Sequence, residues 1–182
     1  MSDIKNIKTT SLDYAILGLV HILPQSGYAI RKQFELTAIG NYSSSPGAIY
    51  PALKRLQKFG LVENILFKED RKNKYQCTSL GENILREWVK KPLDINDVAQ
   101  KTDELFLRFS FMDTLVEKEQ IIKFLTSFRN LSKRYIEELQ EYHKKEYDAL
   151  SLHGRLAIEH GIESFKTTFK WCKSTILLLT KN

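Results

Sequence analysis

The stretch Ser45 to Phe67, SPGAIYPALKRLQKFGLVENILF, decides the fold. Its first part has a helical period, with Ile49, Ala52, Leu53 and Leu56 recurring at spacings that place them on one core-facing stripe. Pro46 suits the first helical turn, where a missing N–H removes no hydrogen bond, and Gly60 suits the stop. Pro51 falls so near the start that a mild distortion is expected rather than a break. Beyond Gly60 the pattern turns to a β type. Leu61 to Phe67 is short and apolar, KEDRKNK at Lys68 to Lys74 is charged, and Tyr75 to Thr78 can return as a second strand. The expectation is a helix running into a hairpin with a basic tip.

Toward the N-terminus, Leu12 to Leu23 is apolar on most faces and stops before Pro24, as a centrally packed helix does. Ser26 can cap a second helix, in which Ile30 and Phe34 face inward while Arg31, Lys32 and Gln33 face outward. Asn41 to Ser45 is polar turn material. In the other direction, Leu80 to Lys91 resumes the helical period through Ile84, Leu85 and Trp88, and Pro92 closes it. Three helices followed by a hairpin make a winged helix-turn-helix, in which the third helix enters the major groove and the wing touches flanking backbone. The sequence thus divides into a winged helix-turn-helix domain over 1–92 and a helical domain over 93–182, with the boundary at Pro92 to Gln100. The fold class is mainly α.

The second half has no proline after Pro92. Leu105 to Met112 reads as a short apolar helix. Lys118 to Leu150 reads as a long one, with Ile121, Leu125, Phe128, Tyr135, Leu139 and Tyr142 on a seam interrupted by Ser132. In the last helix Ile158, Ile162, Phe165, Phe169, Cys172, Ile176 and Leu179 keep an alternating spacing of 4 and 3, a coiled-coil-like heptad seam that needs a partner helix. Packing of this seam across a homodimer is favoured over packing within the subunit, because two helices joined by a short turn leave too much apolar surface uncovered.

Charge separates the halves. Residues 1–92 carry 14 Lys and Arg against 8 Asp and Glu, an excess of 6, whereas 93–182 carry 14 against 14. The whole net charge of +6 therefore belongs to the winged-helix half, which suits a polyanion partner whose counterions are released on binding. The two cysteines, Cys77 and Cys172, have no CxxC spacing, and MSDIKNIKTT has no apolar signal core, so a cytoplasmic protein is expected. No apolar run approaches the roughly 20 residues of a membrane span.

Enzyme chemistry finds no support. His21, His143, His153 and His160 fall in no HExxH or Cys/His zinc pattern, and neither GxSxG nor a phosphate-cradling glycine loop occurs. No metal and no cofactor is expected. Cys172 most simply fills space in its seam.

The candidate DNA-binding residues lie opposite the core stripe of the third helix: Gly47, Tyr50, Pro51, Lys54 and Lys58. Gly47 admits close backbone approach, Tyr50 offers a hydroxyl and an aromatic edge, and Lys54 can reach a guanine edge or a phosphate. Ser43, Ser44 and Ser45 can donate to phosphate at the helix N-terminus, and Tyr28 and Lys32 of the second helix join the same surface. In the wing, Arg71, Lys72 and Lys74 add phosphate contacts that strengthen binding without choosing sequence.

These segments resemble the PadR-like transcriptional regulators. The resemblance runs through LGLVHILPQSGYAIRKQFE at Leu17 to Glu35, SPGAIYPALKRLQKFGLVE at Ser45 to Glu63, and KYQCTSLGENIL at Lys74 to Leu85. The long helical tail is similar to that of virulence-activator-type regulators. The resemblance implies a homodimer on double-stranded DNA at a palindromic promoter operator, usually as a repressor relieved by a small-molecule effector. The wing departs from a frequent family pattern by lacking Gly and Pro. An effector pocket between the two halves would be lined by Tyr14, Trp88, Phe106, Phe109 and Trp171. The competing function is a protein-interaction module that uses the winged helix as a scaffold without specific DNA binding.

Overall fold

The structure is a computed structural model that describes residues 8–36, 46–67 and 72–181. Along the chain run α1 (Ser11–Ile22), α2 (Gly27–Leu36), α3 (Pro46–Lys58), β1 (Val62–Phe67), β2 (Lys72–Cys77), α4 (Ser79–Lys90), α5 (Ile95–Gln100), α6 (Thr102–Ser110), α7 (Lys118–Lys145) and α8 (Leu152–Lys181). A single 3-10 turn, Met112–Thr114, separates α6 from α7.

The chain forms two units, and the division is not linear. The first comprises Met1–Val89 together with Ser110–Leu115, and the second comprises Lys90–Phe109 together with Val116–Asn182. In the first unit α1 is the central element. Its Ala15, Ile16, Leu17, Leu19 and Val20 are buried, as the all-round apolar composition requires. Thr10 and Asp13 form a capping box that starts α1. Phe111 and Met112, from the returning segment, are buried in this unit, and the Phe111 ring occupies the space a side chain on Gly18 would need. Arg86 of α4 donates through Nε to the carbonyl of Leu115 at 3.0 Å, tying that segment down.

The wing is an antiparallel pair in register from Val62 opposite Cys77 to Phe67 opposite Lys72. Strand β2 begins three residues earlier than the apolar pattern suggests. Cross-strand pairing carries it through Lys72, Asn73 and Lys74. Gln25 adds a single antiparallel bridge to Tyr75, with backbone hydrogen bonds of 3.1 and 2.7 Å.

In the second unit α7 and α8 pack as a hairpin, with Tyr135 and Phe165 edge to face at 4.8 Å. Helix α7 is shorter than the expected span to Leu150. Glu146 caps it by donating its backbone N–H to Tyr142, and Ser151 Oγ then accepts from Gly154 N at the start of α8. The heptad seam of α8 faces inward. Ile162 and Cys172 are buried within the chain itself, and Ile158, Phe165, Phe169, Ile176 and Leu179 are half-buried. Within the subunit α7 lies along α8, and Ile162 and Cys172 are buried there.

The expected linker from Pro92 to Gln100 contains α5. Its start is fixed by an Asp94–Asp97 capping box, in which each carboxylate accepts from the other residue's backbone N–H. Arg108 of α6 is 3% exposed, donates to the carbonyl of Lys91 and lies over the Phe124 ring at 5.1 Å.

Candidate nucleic-acid interface

Helix α3 carries the surface predicted for it. Ile49, Ala52, Leu53 and Leu56 are fully buried, whereas Gly47, Tyr50, Pro51, Lys54 and Lys58 are exposed, and the helix continues through Pro51. Tyr28 and Lys32 of α2 are exposed as well, with Tyr28 open to 60% beside the Arg31 guanidinium at 5.4 Å. The surface therefore combines cations with two phenol rings, a mixture that can meet both phosphates and base edges.

Three local devices hold α3. The first is a glycine contact. A Cβ on Gly27 would lie 2.8 Å from Cε1 of Tyr50, so the bare Gly27 backbone lets the ring settle against α2 while 43% of Tyr50 stays exposed. The second is a C-terminal stop. Gly60 adopts φ +68, its N–H donates to Gln57 O at 3.0 Å, and Leu61 N donates to Leu56 O at 2.9 Å. These two bonds make a Schellman motif, and Leu56 and Leu61 are both buried beneath it. The third is an ion pair between Arg55 and Asp13 at 2.6 Å.

The wing is fastened to the same helix end. Thr78 N donates to Leu61 O at 3.1 Å, and its hydroxyl donates to Gly60 O at 2.7 Å while accepting from Gly81 N. Lys72 opens β2, and Lys74 is half-buried opposite Ile65. Ser43, Ser44, Ser45 and Arg71 lie outside the described residues.

The proposed pocket residues fall into two groups. Tyr14 and Trp88 stack at 4.3 Å with planes 5° apart in the first unit. In the second unit Phe106 and Phe109 each meet Trp171 edge to face at 5.0 Å, and Phe106 also meets Phe128. Sequence reasoning missed Asp13, Arg55 and Gln25. The Thr10-x-x-Asp13 spacing is a readable capping box, but the second use of Asp13 as a partner for Arg55 needs the tertiary fold. Among the described residues no cluster of His, Cys, Asp and Glu is arranged to hold a metal, and no helix is long and apolar enough to cross a membrane.

Comparison with known proteins adds to this geometry. Residues 16–87 match the sequence model of the Transcriptional regulator PadR-like family, and residues 102–180 match that of the Virulence activator alpha C-terminal region. The first unit is thus PadR-like in sequence over residues 16–87, and the second carries the virulence-activator match. The matched family is one of transcriptional regulators and not of enzymes. It is 24% identical to the Negative transcriptional regulator PadR of Bacillus subtilis (strain 168) over 181 residues, which is 94% of this chain and 98% of that protein. Among solved structures it is similar to Bacillus subtilis PadR in complex with operator DNA, at 24% identity and a TM-score of 0.43 over 93% of this chain and 99% of that one. It is also similar to the same protein in complex with p-coumaric acid, at 24% identity and a TM-score of 0.44 over 94% and 99% of the two chains.

Proposed function

We propose that this chain is a PadR-like cytoplasmic repressor that binds a palindromic promoter site as a homodimer and is released by a small-molecule effector. One observation carries the DNA-binding part. The outward row of α3, Gly47, Tyr50, Pro51, Lys54 and Lys58, is exposed while the opposite face is fully buried, and Tyr28 and Lys32 extend it onto α2. Lys54 and Tyr50 read bases, Lys32 and Lys58 hold phosphates, and the wing with Lys72, Lys74 and Arg71 grips flanking backbone. Ser43, Ser44 and Ser45 take phosphate before α3.

The homodimer forms through α8. Its half-buried seam residues and the exposed Leu152, Leu156, Leu177 and Leu178 offer apolar surface to a second copy. A two-fold dimer sets its two recognition helices about 34 Å apart, one turn of DNA. The repressor sign follows the name of the Bacillus subtilis relative. An effector engages the aromatic groups, Tyr14 with Trp88 or Phe106 and Phe109 with Trp171.

The test is fluorescence anisotropy against the chain's own upstream DNA and a scrambled duplex at low and physiological salt. Tight, salt-resistant binding to the upstream duplex alone is expected. Equal binding to both that salt erases would overturn the reading in favour of an interaction module.

A further inference from the structure

Resting on the reading of α3 as the groove-entering helix, we infer that Arg55 is its positioning residue: the ion pair to Asp13 sets the rotation of α3 about its own axis and thereby aims Lys54. Asp13 is a fixed anchor. Its side chain is 1% exposed, and its Oδ2 accepts from Thr10 N at 2.8 Å and Thr10 Oγ1 at 2.9 Å, which locks the carboxylate into the first turn of α1. Its other oxygen, Oδ1, accepts from Arg55 Nη2 at 2.6 Å. The helix carrying this anchor is the buried centre of its unit, so the pair ties α3 to the least movable element available.

Tyr50 resting on Gly27 provides the other constraint, nearer the start of α3. With the start of α3 held at Tyr50, the ion pair at Arg55 settles its roll. A helix with side chains has a radius of about 5–6 Å, so a roll of about 20° moves side-chain tips by about 2 Å. A hydrogen bond to a base edge does not survive that displacement, whereas attraction between a lysine and a phosphate changes little with it. Loss of the pair therefore erodes choice of sequence more than affinity for DNA as such.

A direct phosphate contact by Arg55 is the rival role, and it predicts different observables. The probes are a duplex carrying the site that the full-length wild-type chain selects from a random pool, and a scrambled duplex. Under positioning, Arg55→Gln and Asp13→Asn each lower the selected-to-scrambled affinity ratio by about 10-fold, and the double variant lowers it no further. Asp13 is buried and anionic and cannot itself grip DNA, so its loss reads the positioning role alone. The salt slope of Arg55→Gln stays at the wild-type value, whereas loss of a phosphate contact lowers it by about 1. Arg55→Lys, which keeps a charged donor, recovers part of the ratio.

An Arg55→Gln variant with a reduced salt slope and an unchanged ratio overturns the inference. So does an Asp13→Asn variant that folds, by circular dichroism, and keeps the wild-type ratio. If Asp13→Asn does not fold, the slope and ratio of Arg55→Gln decide the matter alone. Failure of the underlying reading looks different: the wild-type chain selects no site, or Lys54→Ala leaves the ratio intact.

Discussion

The Phe111 ring lies over the α-carbon of Gly18, so close that a Cβ there would penetrate the ring. Phe111 is almost fully buried and has no solvent-facing route of retreat. Gly18→Ala is therefore expected to lower unfolding free energy by about 1–3 kcal/mol, the usual range for overpacking a filled core. Urea denaturation measures it, and Phe111→Leu introduced into the Gly18→Ala chain should recover part of the loss. Additive effects of the two substitutions would show that the contact does not matter.

Gly27 makes a different case, because the ring it accommodates is partly exposed and can move. Gly27→Ala is expected to cost under about 1 kcal/mol in stability while displacing Tyr50 from α2. The measurable result is an affinity for the selected DNA site that falls several-fold with little change in the denaturation midpoint. A chain that loses stability and keeps its affinity would place Tyr50 outside the interface.

At Gly60 the strain is in the backbone alone, since a methyl group added there would meet nothing within 4 Å and φ is +68. Gly60→Ala should cost about 1 kcal/mol, and Gly60→Asn less, because asparagine tolerates the left-handed region better. The urea midpoint should fall with the slope m unchanged.

Burial disfavours the thiolate at both cysteines. Burial pushes Cys172 up to about 12, against a small opposing effect of Arg129. Burial, assisted by Glu82, pushes Cys77 up to about 12 as well. At pH 8 the thiolate fraction of each is then roughly three orders of magnitude below that of a free cysteine. Titration with a chromogenic disulfide should show no fast-reacting thiol in the native chain and two after denaturation. Rapid native labelling of Cys172 would contradict its burial, whereas the half-buried Cys77 is expected to react only slowly.

Periodicity made most of the first unit legible. The stripe of Ile49, Ala52, Leu53 and Leu56, the stop at Gly60 and the Ser26 cap each act over a few residues, and Ala29 N does donate to Ser26 Oγ. The outward row of α3 followed from the same stripe. What escaped reading joins residues distant in sequence: Arg55 with Asp13, Gln25 with Tyr75, and Phe111 with Gly18. A one-dimensional pattern assigns each residue a face but not the neighbour that meets it. The α8 seam shows the same limit, because its spacing requires a partner helix without naming whose helix it is. Here α7 of the same chain takes that place for Ile162 and Cys172.

The chain passes between its two units after Val89, again after Phe109 and again after Leu115. The first unit is consequently no cassette. A gene fusion cut after α4 would carry Gly18 without Phe111 and Arg86 without the Leu115 carbonyl, leaving a hole where the returning segment belongs. A tail exchanged at the end of α4 would take Phe111 and the Leu115 carbonyl away with it, so the returning segment has to stay with the first unit.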